Sequence, residues 1–127
     1  MNRNSYGCRT PDIRDYGSEP LIVNIDCFTK QNPYYRTALW PGKHLQVTLM
    51  SIPVHGDIGL EIHSDVDQFI RIEDGCALVM MGKNKTLLNC QQRVNSNYAV
   101  IIPAGTWHNI INIGQTPLKL YSIYAPP

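Results

Sequence analysis

The 127-residue sequence predicts an all-β domain, built as an antiparallel sandwich or barrel. Three observations carry that expectation. From residue 36 onward, short segments rich in Val, Ile, Leu, Thr and Tyr follow one another at near-regular spacing. Turn-forming residues divide them, among them Asp74-Gly75, Ala104-Gly105 and the run Gly114 to Thr116. No window carries a sustained helical stripe with a capping residue at its start.

Taken in order, residues 1–20 are polar, contain Pro11, Gly17 and Pro20, and read as an irregular arm. Leu21 to Ile25 is apolar enough for a first strand, and Asn32-Pro33 marks a turn after it. The expected strands are then 44–53, 58–63, 68–74, 76–82, 97–103, 107–113 and 117–125. This divides the chain into residues 1–35, arm and first strand, and residues 36–127, the barrel. Segments 58–63 and 68–74 read as a hairpin closed by Ser64 to Asp67.

Composition narrows the function classes. Eleven Lys and Arg stand against ten Asp and Glu, and no basic block or stripe appears, so a nucleic-acid partner is not expected. No apolar run approaches a membrane span, and the N-terminal residues lack an apolar signal core. Cys8, Cys27, Cys76 and Cys90 are widely spaced, with neither a C-x-x-C pair nor zinc-finger spacing, which leads us to expect reduced thiols in a cytoplasmic protein. Near-neutral charge does little to oppose self-association, and a homodimer, with part of residues 1–35 lying against the partner's sheet, is the expected assembly.

The chemistry concentrates in two segments. In IGLEIHSDVDQFIRIEDG (58–75), side chains alternate, so Glu61 and His63 share a face, and Gln68 joins them if it points inward with Ile70 and Ile72. In IIPAGTWHNIIN (101–112), His108 shares a face with Ile110 and Asn112. An inward carboxylate such as Glu61 is costly on an apolar strand unless a cation or donors face it. One histidine alone would read as an ordinary hydrogen-bonded side chain; His44 and His55 read so, at the surface. Gln46, Thr48 and Met50 alternate with Leu45, Val47 and Leu49 and are candidates to line a pocket, as is Trp107, although the polar pair reads equally as solvent-facing and Trp107 as a core aromatic. Asp65, Asp67, Glu73 and Asp74 read as solvated charges.

These two segments resemble the paired motifs of the cupins, G-x5-H-x-H-x(3,4)-E-x6-G and G-x5-P-x-G-x2-H-x3-N. The second is matched from Pro103 through Gly105 and His108 to Asn112, with Asn97, a residue that tolerates positive φ, replacing the leading glycine. In the first, His63 and Gly75 fall on the second histidine and the closing glycine. Glu61 stands at the first histidine, Gln68 at the glutamate, and Gly56 lies one residue nearer than the pattern asks.

The resemblance implies a jelly-roll barrel holding one divalent metal ion through Glu61, His63, Gln68 and His108. The usual three histidines and one carboxylate become two histidines, one carboxylate and one carboxamide. The anionic count is unchanged, and Zn, Fe, Ni or Mn would suit such a set. Gln68, a neutral donor, reads equally as a fourth ligand or as a wall residue contacting substrate. The barrel is similar to that of metal-dependent mannose-6-phosphate isomerases, and a glutamine at this position is similar to cupins that linearise unsaturated uronates. The implied activity is therefore a metal-dependent, isomerase-like transformation of a small sugar or sugar acid. A non-catalytic small-molecule sensor and an iron-dependent dioxygenase are the other classes the resemblance admits.

Overall fold

A computed structural model describes residues 10–127. After an irregular lead-in come α1 (Ile25–Gln31), β1 (Arg36–Pro41), β2 (Gln46–Ile52), β3 (Asp67–Asp74) and β4 (Ala77–Gly82). The chain ends with β5 (Cys90–Val94), β6 (Ala99–Ile102), β7 (Trp107–Asn112) and β8 (Leu118–Ala125). The strands form two antiparallel sheets, one of five in the order β1-β2-β8-β3-β6 and one of three in the order β5-β4-β7. This is the expected jelly-roll architecture. The barrel stays open where β5 and β6, successive in the chain, lie on the edges of different sheets.

Period-2 alternation builds the core. Met50 and Ile52 of β2, Ile70 and Ile72 of β3, Val79 of β4, Ile110 of β7 and Leu118 and Leu120 of β8 all turn inward into one buried cluster. Each such side chain contributes about 1.5–3 kcal/mol by leaving water. Two special backbone positions fall where the motifs require them: Gly75 has φ 104 and Asn97 has φ 74.

Several expected elements are corrected. Residues 21–24 form no strand; they lead into a helix. Asn24 caps it, its side-chain oxygen accepting from the Cys27 N–H at 3.0 Å, and Lys30 pairs with Asp26 one turn earlier at 3.2 Å. Seven residues are too few to print a stripe, and of these only Cys27 and Thr29 are buried. β1 escaped notice because Leu39 is its only fully buried residue and a bulge between Ala38 and Trp40 breaks its alternation. β5, Cys-Gln-Gln-Arg-Val, is an edge strand with only Val94 buried, and so lacks an apolar signal.

The expected 58–75 hairpin does not form. β3 pairs with β6 and β8, whereas residues 57–61 lie beside β7, joined to it by bridges at Asp57–Ile111 and Glu61–His108. Gly59, at φ 88, interrupts the extended run, and Ser64–Val66 carry the chain across to the other sheet.

Tyr16, Glu19 and α1 tie the segment before β1 to the chain's own five-stranded sheet. Tyr16 N–H donates to Leu39 O at 2.8 Å, Trp40 Nε1 donates to Glu19 O at 2.7 Å, and α1 contacts β2, β3 and β8. Beneath α1, Glu73 is buried rather than solvated, with Arg71 Nε 3.3 Å away. The thiol expectation is also corrected. Cys76 and Cys90 are free and exposed, but Cys27 is disulfide-bonded, because wide spacing along the chain does not prevent proximity in space. Cys8 lies outside the described residues. No helix among the described residues is long and apolar enough to cross a membrane.

Candidate metal centre

Two backbone contacts place the first two candidate ligands. The Glu61 N–H donates to His108 O at 3.0 Å and the His108 N–H donates back to Glu61 O at 2.9 Å, so the two residues sit opposite one another across a bridge. The Gly105 N–H donates to His63 O at 2.7 Å, which ties His63 to the Pro103–Gly105 turn. Gly105 has φ 81, the conformation that turn demands.

The side chains then converge. Glu61 Oε1 lies 3.2 Å from His63 Nε2 and 3.4 Å from His108 Nε2. The ligand atoms of all three lie within 4.8 Å of one another. His108 is fully buried, and its Nδ1 lies 2.9 Å from Thr106 O. A carbonyl can only accept, so Nδ1 carries the hydrogen in this contact, and Nε2 is the ring atom turned toward the Glu61 carboxylate. That atom has no hydrogen-bond partner. A buried ring nitrogen facing a carboxylate oxygen needs a proton or a cation between them.

A zinc-sized ion fits that arrangement. Ligand atoms about 2.0–2.2 Å from such an ion stand roughly 3.0–3.5 Å from one another, and the two Glu61 distances fall in that range. Contact with His108, with His63 adding to it, holds the Glu61 carboxyl below its usual range, against burial, which pushes it up. The carboxylate is therefore ready as an anionic ligand.

Gln68 is buried at the same end of the barrel. Its Nε2 donates to Ser122 Oγ at 2.8 Å, which fixes the amide and leaves Oε1 buried without a partner. Its register partner on β8 is Tyr124, whose ring stands edge-on to His63 with centroids 5.5 Å apart. Thr48 pairs with Ser122, and Gln46 with Tyr124; Gln46 Nε2 donates to Thr48 Oγ1 at 3.1 Å. Gln46 and Thr48 thus belong to the polar layer around the site. Met50 does not: it pairs with Leu120 in the apolar core below. Trp107 is not brought to the site either. It adjoins His108 on a strand and so points to the opposite face, where Lys85 Nζ lies 5.6 Å from its ring.

Sequence reasoning missed Ser122, Thr106 and Arg36, and did not place Tyr124. Parity on β8 could have supplied Ser122 and Tyr124, since both share a face with Leu118 and Leu120. Arg36, whose Nη2 donates to Tyr124 Oη at 2.9 Å, sits on the strand that the pattern hid. A cavity of about 460 Å³ borders the site through Thr106 and through Met81, the register partner of His108, but includes none of the three convergent residues.

The model of the cupin domain matches residues 48–124, which contain the whole ligand cluster and both motifs. This chain is a cupin. Among its relatives, the uncharacterized protein YrkC of Bacillus subtilis (strain 168) is 61% identical over 125 residues, covering 98% of this cupin and 67% of YrkC. The crystal structure of BH2720 from Bacillus halodurans superposes with a TM-score of 0.89 at 58% identity, covering 91% of this cupin and 87% of that chain. A putative sugar phosphate isomerase from Acidithiobacillus ferrooxidans shares the fold at 19% identity and a TM-score of 0.56, over 65% of this cupin and 50% of that chain.

Proposed function

We propose that this cupin is a metal-dependent enzyme acting on a small sugar or sugar acid, in the manner of an isomerase. The observation that carries the reading is the convergence of Glu61 Oε1 with His63 Nε2 at 3.2 Å and with the fully buried His108 Nε2 at 3.4 Å. Glu61, His63 and His108 would hold the ion, and the buried carbonyl oxygen of Gln68 would be the fourth donor. A divalent cation in this set supplies Lewis acidity, which polarises a carbonyl or hydroxyl and lowers the cost of negative charge developing on it.

The chain's own residues do the rest. Glu61 would be the one anionic ligand beside His63, His108 and Gln68, so the centre would keep a net positive charge toward substrate. Thr106 holds the His108 ring in its ligating tautomer. Ser122 orients the Gln68 amide. The aliphatic floor below, including Ile70, Ile102 and Leu120, keeps water from the inner side of the site. The fold likeness to a putative sugar phosphate isomerase supports the sugar reading.

The test is conversion. Metal-loaded protein is incubated with a panel of sugar phosphates and uronates, and products are followed by NMR. We expect turnover of at least one member that stops when a chelator removes the ion. Metal-loaded protein that binds members of the panel and converts none would make this a binding module.

A further inference from the structure

We propose that Arg36 and Tyr124 form a carboxylate-recognition site beside the metal centre, so that the molecule this cupin takes is a polyhydroxylated monocarboxylate rather than a neutral sugar or a sugar phosphate. The proposal rests on the metal-centred reading above and narrows its substrate. Arg36 opens β1, and its register partner Met50 is buried in the core, so the side chain leaves the strand on the inward face. Its Nη2 donates to Tyr124 Oη at 2.9 Å, and its Cζ lies 6.0 Å from the centre of that ring. Tyr124 in turn stands edge-on to His63, with the rings at 80°. Contacts therefore run from Arg36 through Tyr124 to the candidate metal ligand His63.

Both members of the pair have capacity left. A guanidinium carries five N–H donors in a planar fork, and one contact to Tyr124 leaves most of them open. Among the described residues no carboxylate lies within 4 Å of Arg36, whereas Arg14, Lys30 and Arg71 each have one. Tyr124 Oη accepts from Arg36, which leaves its own hydrogen to donate to a second oxygen. An unneutralised fork with a hydroxyl donor beside it matches a planar monoanion. A guanidinium fork pairs phosphate as well, but phosphate sites commonly add helix N-termini or clustered backbone N–H groups to balance the second charge. Here α1 packs on the outer face of the sheet, where Lys119 reaches Asn32 O, and so is not available to the interior.

The test uses three matched probes, D-gluconate, D-sorbitol and D-sorbitol 6-phosphate, titrated into the zinc-loaded full chain by ligand-observed NMR. Gluconate should bind about tenfold or more tightly than either of the others. Arg36→Gln should lower gluconate affinity by about tenfold or more, leave sorbitol unchanged and so erase the preference; Arg36→Lys should restore part of it, since an ammonium lacks the fork. Tyr124→Phe should weaken gluconate by a few-fold. Zinc content, measured on the same samples, should equal wild type in all three variants. A wild type that holds no zinc defeats the metal reading, while the Arg36-dependent preference is still read on the zinc-free chain. The proposal is overturned by equal affinity for sorbitol, by preference for the phosphate, by no gluconate binding below about 10 mM, or by an Arg36→Gln variant that binds gluconate like wild type.

Discussion

Gln68 and Asn112 are both buried carboxamides, yet their surroundings give them opposite roles. Asn112 is fully committed: its Nδ2 lies 3.0 Å from Ile52 O and 2.9 Å from Thr116 O, and its Oδ1 accepts from the Gly114 N–H at 2.9 Å. Asn112→Ala would strand two carbonyls and an amide, and should cost about 2–4 kcal/mol in a urea titration without the direct loss of any metal ligand. Gln68 keeps one oxygen in reserve. Gln68→Glu would put a second anion at the centre, so metal affinity should hold or rise while turnover falls, because added negative charge quenches the cation's acidity. Gln68→Ala should lose affinity modestly and retain some activity. A Gln68→Glu variant that turns over faster than wild type would contradict this account of the glutamine. At this scale the sequence was informative where chemistry and parity coincide. Glu61, His63 and His108 stood out as polar groups among aliphatics. Arg36 did not, because nothing in Tyr-Tyr-Arg-Thr-Ala-Leu-Trp marks an inward-facing arginine.

Among the elements, α1 and β3 meet around a buried acid. Burial is the main cause that raises the Glu73 carboxyl above its ordinary range; Arg71 opposes the shift and Asp26 adds to it. The sign follows from proton binding. Between the ordinary glutamate range and the raised folded value, the native state binds more proton than the unfolded chain, so this group's contribution makes stability fall as pH rises through that window. The slope reaches up to about 1.4 kcal/mol per pH unit. Glu73→Gln should flatten it, measured as the difference in urea midpoint between wild type and variant across the mildly acidic range. An unchanged pH profile would show that Glu73 titrates normally. The elements also explain which parts of the fold were hard to read. β3, β4, β7 and β8 have one face in the core and print clear alternation, whereas β2 buries Thr48, Leu49 and Met50 in succession. β5 and β1 are edges, α1 spans two turns, and 57–61 joins β7 through bridges alone, so local periodicity could not reveal which partner it takes.

In the whole molecule, two sheets enclose an apolar core at one end and a polar layer at the other, and three candidate ligands from two distant segments meet in that layer. The fold class and the pairing of Glu61 and His63 with His108 were legible because strand number, parity and motif spacing all survive in one dimension. The path between them was not: 58–63 and 68–74 look like neighbours in sequence and belong to different sheets. A metal ion would bind the folded chain and not the unfolded one, so it should also raise the melting temperature in proportion to the logarithm of its free concentration. A saturating divalent ion at about 100 times its Kd would add about 2.7 kcal/mol, and His63→Ala should abolish that gain while leaving the ion-free stability near wild type. The central claim is that His63, His108 and Glu61 form a metal centre, and elemental analysis of protein purified without chelators tests it most directly. The account predicts about one divalent ion per chain in wild type and next to none in a folded His63→Ala/His108→Ala double variant. Equal metal content in the two, or a wild type that takes up none when ions are supplied, would contradict it.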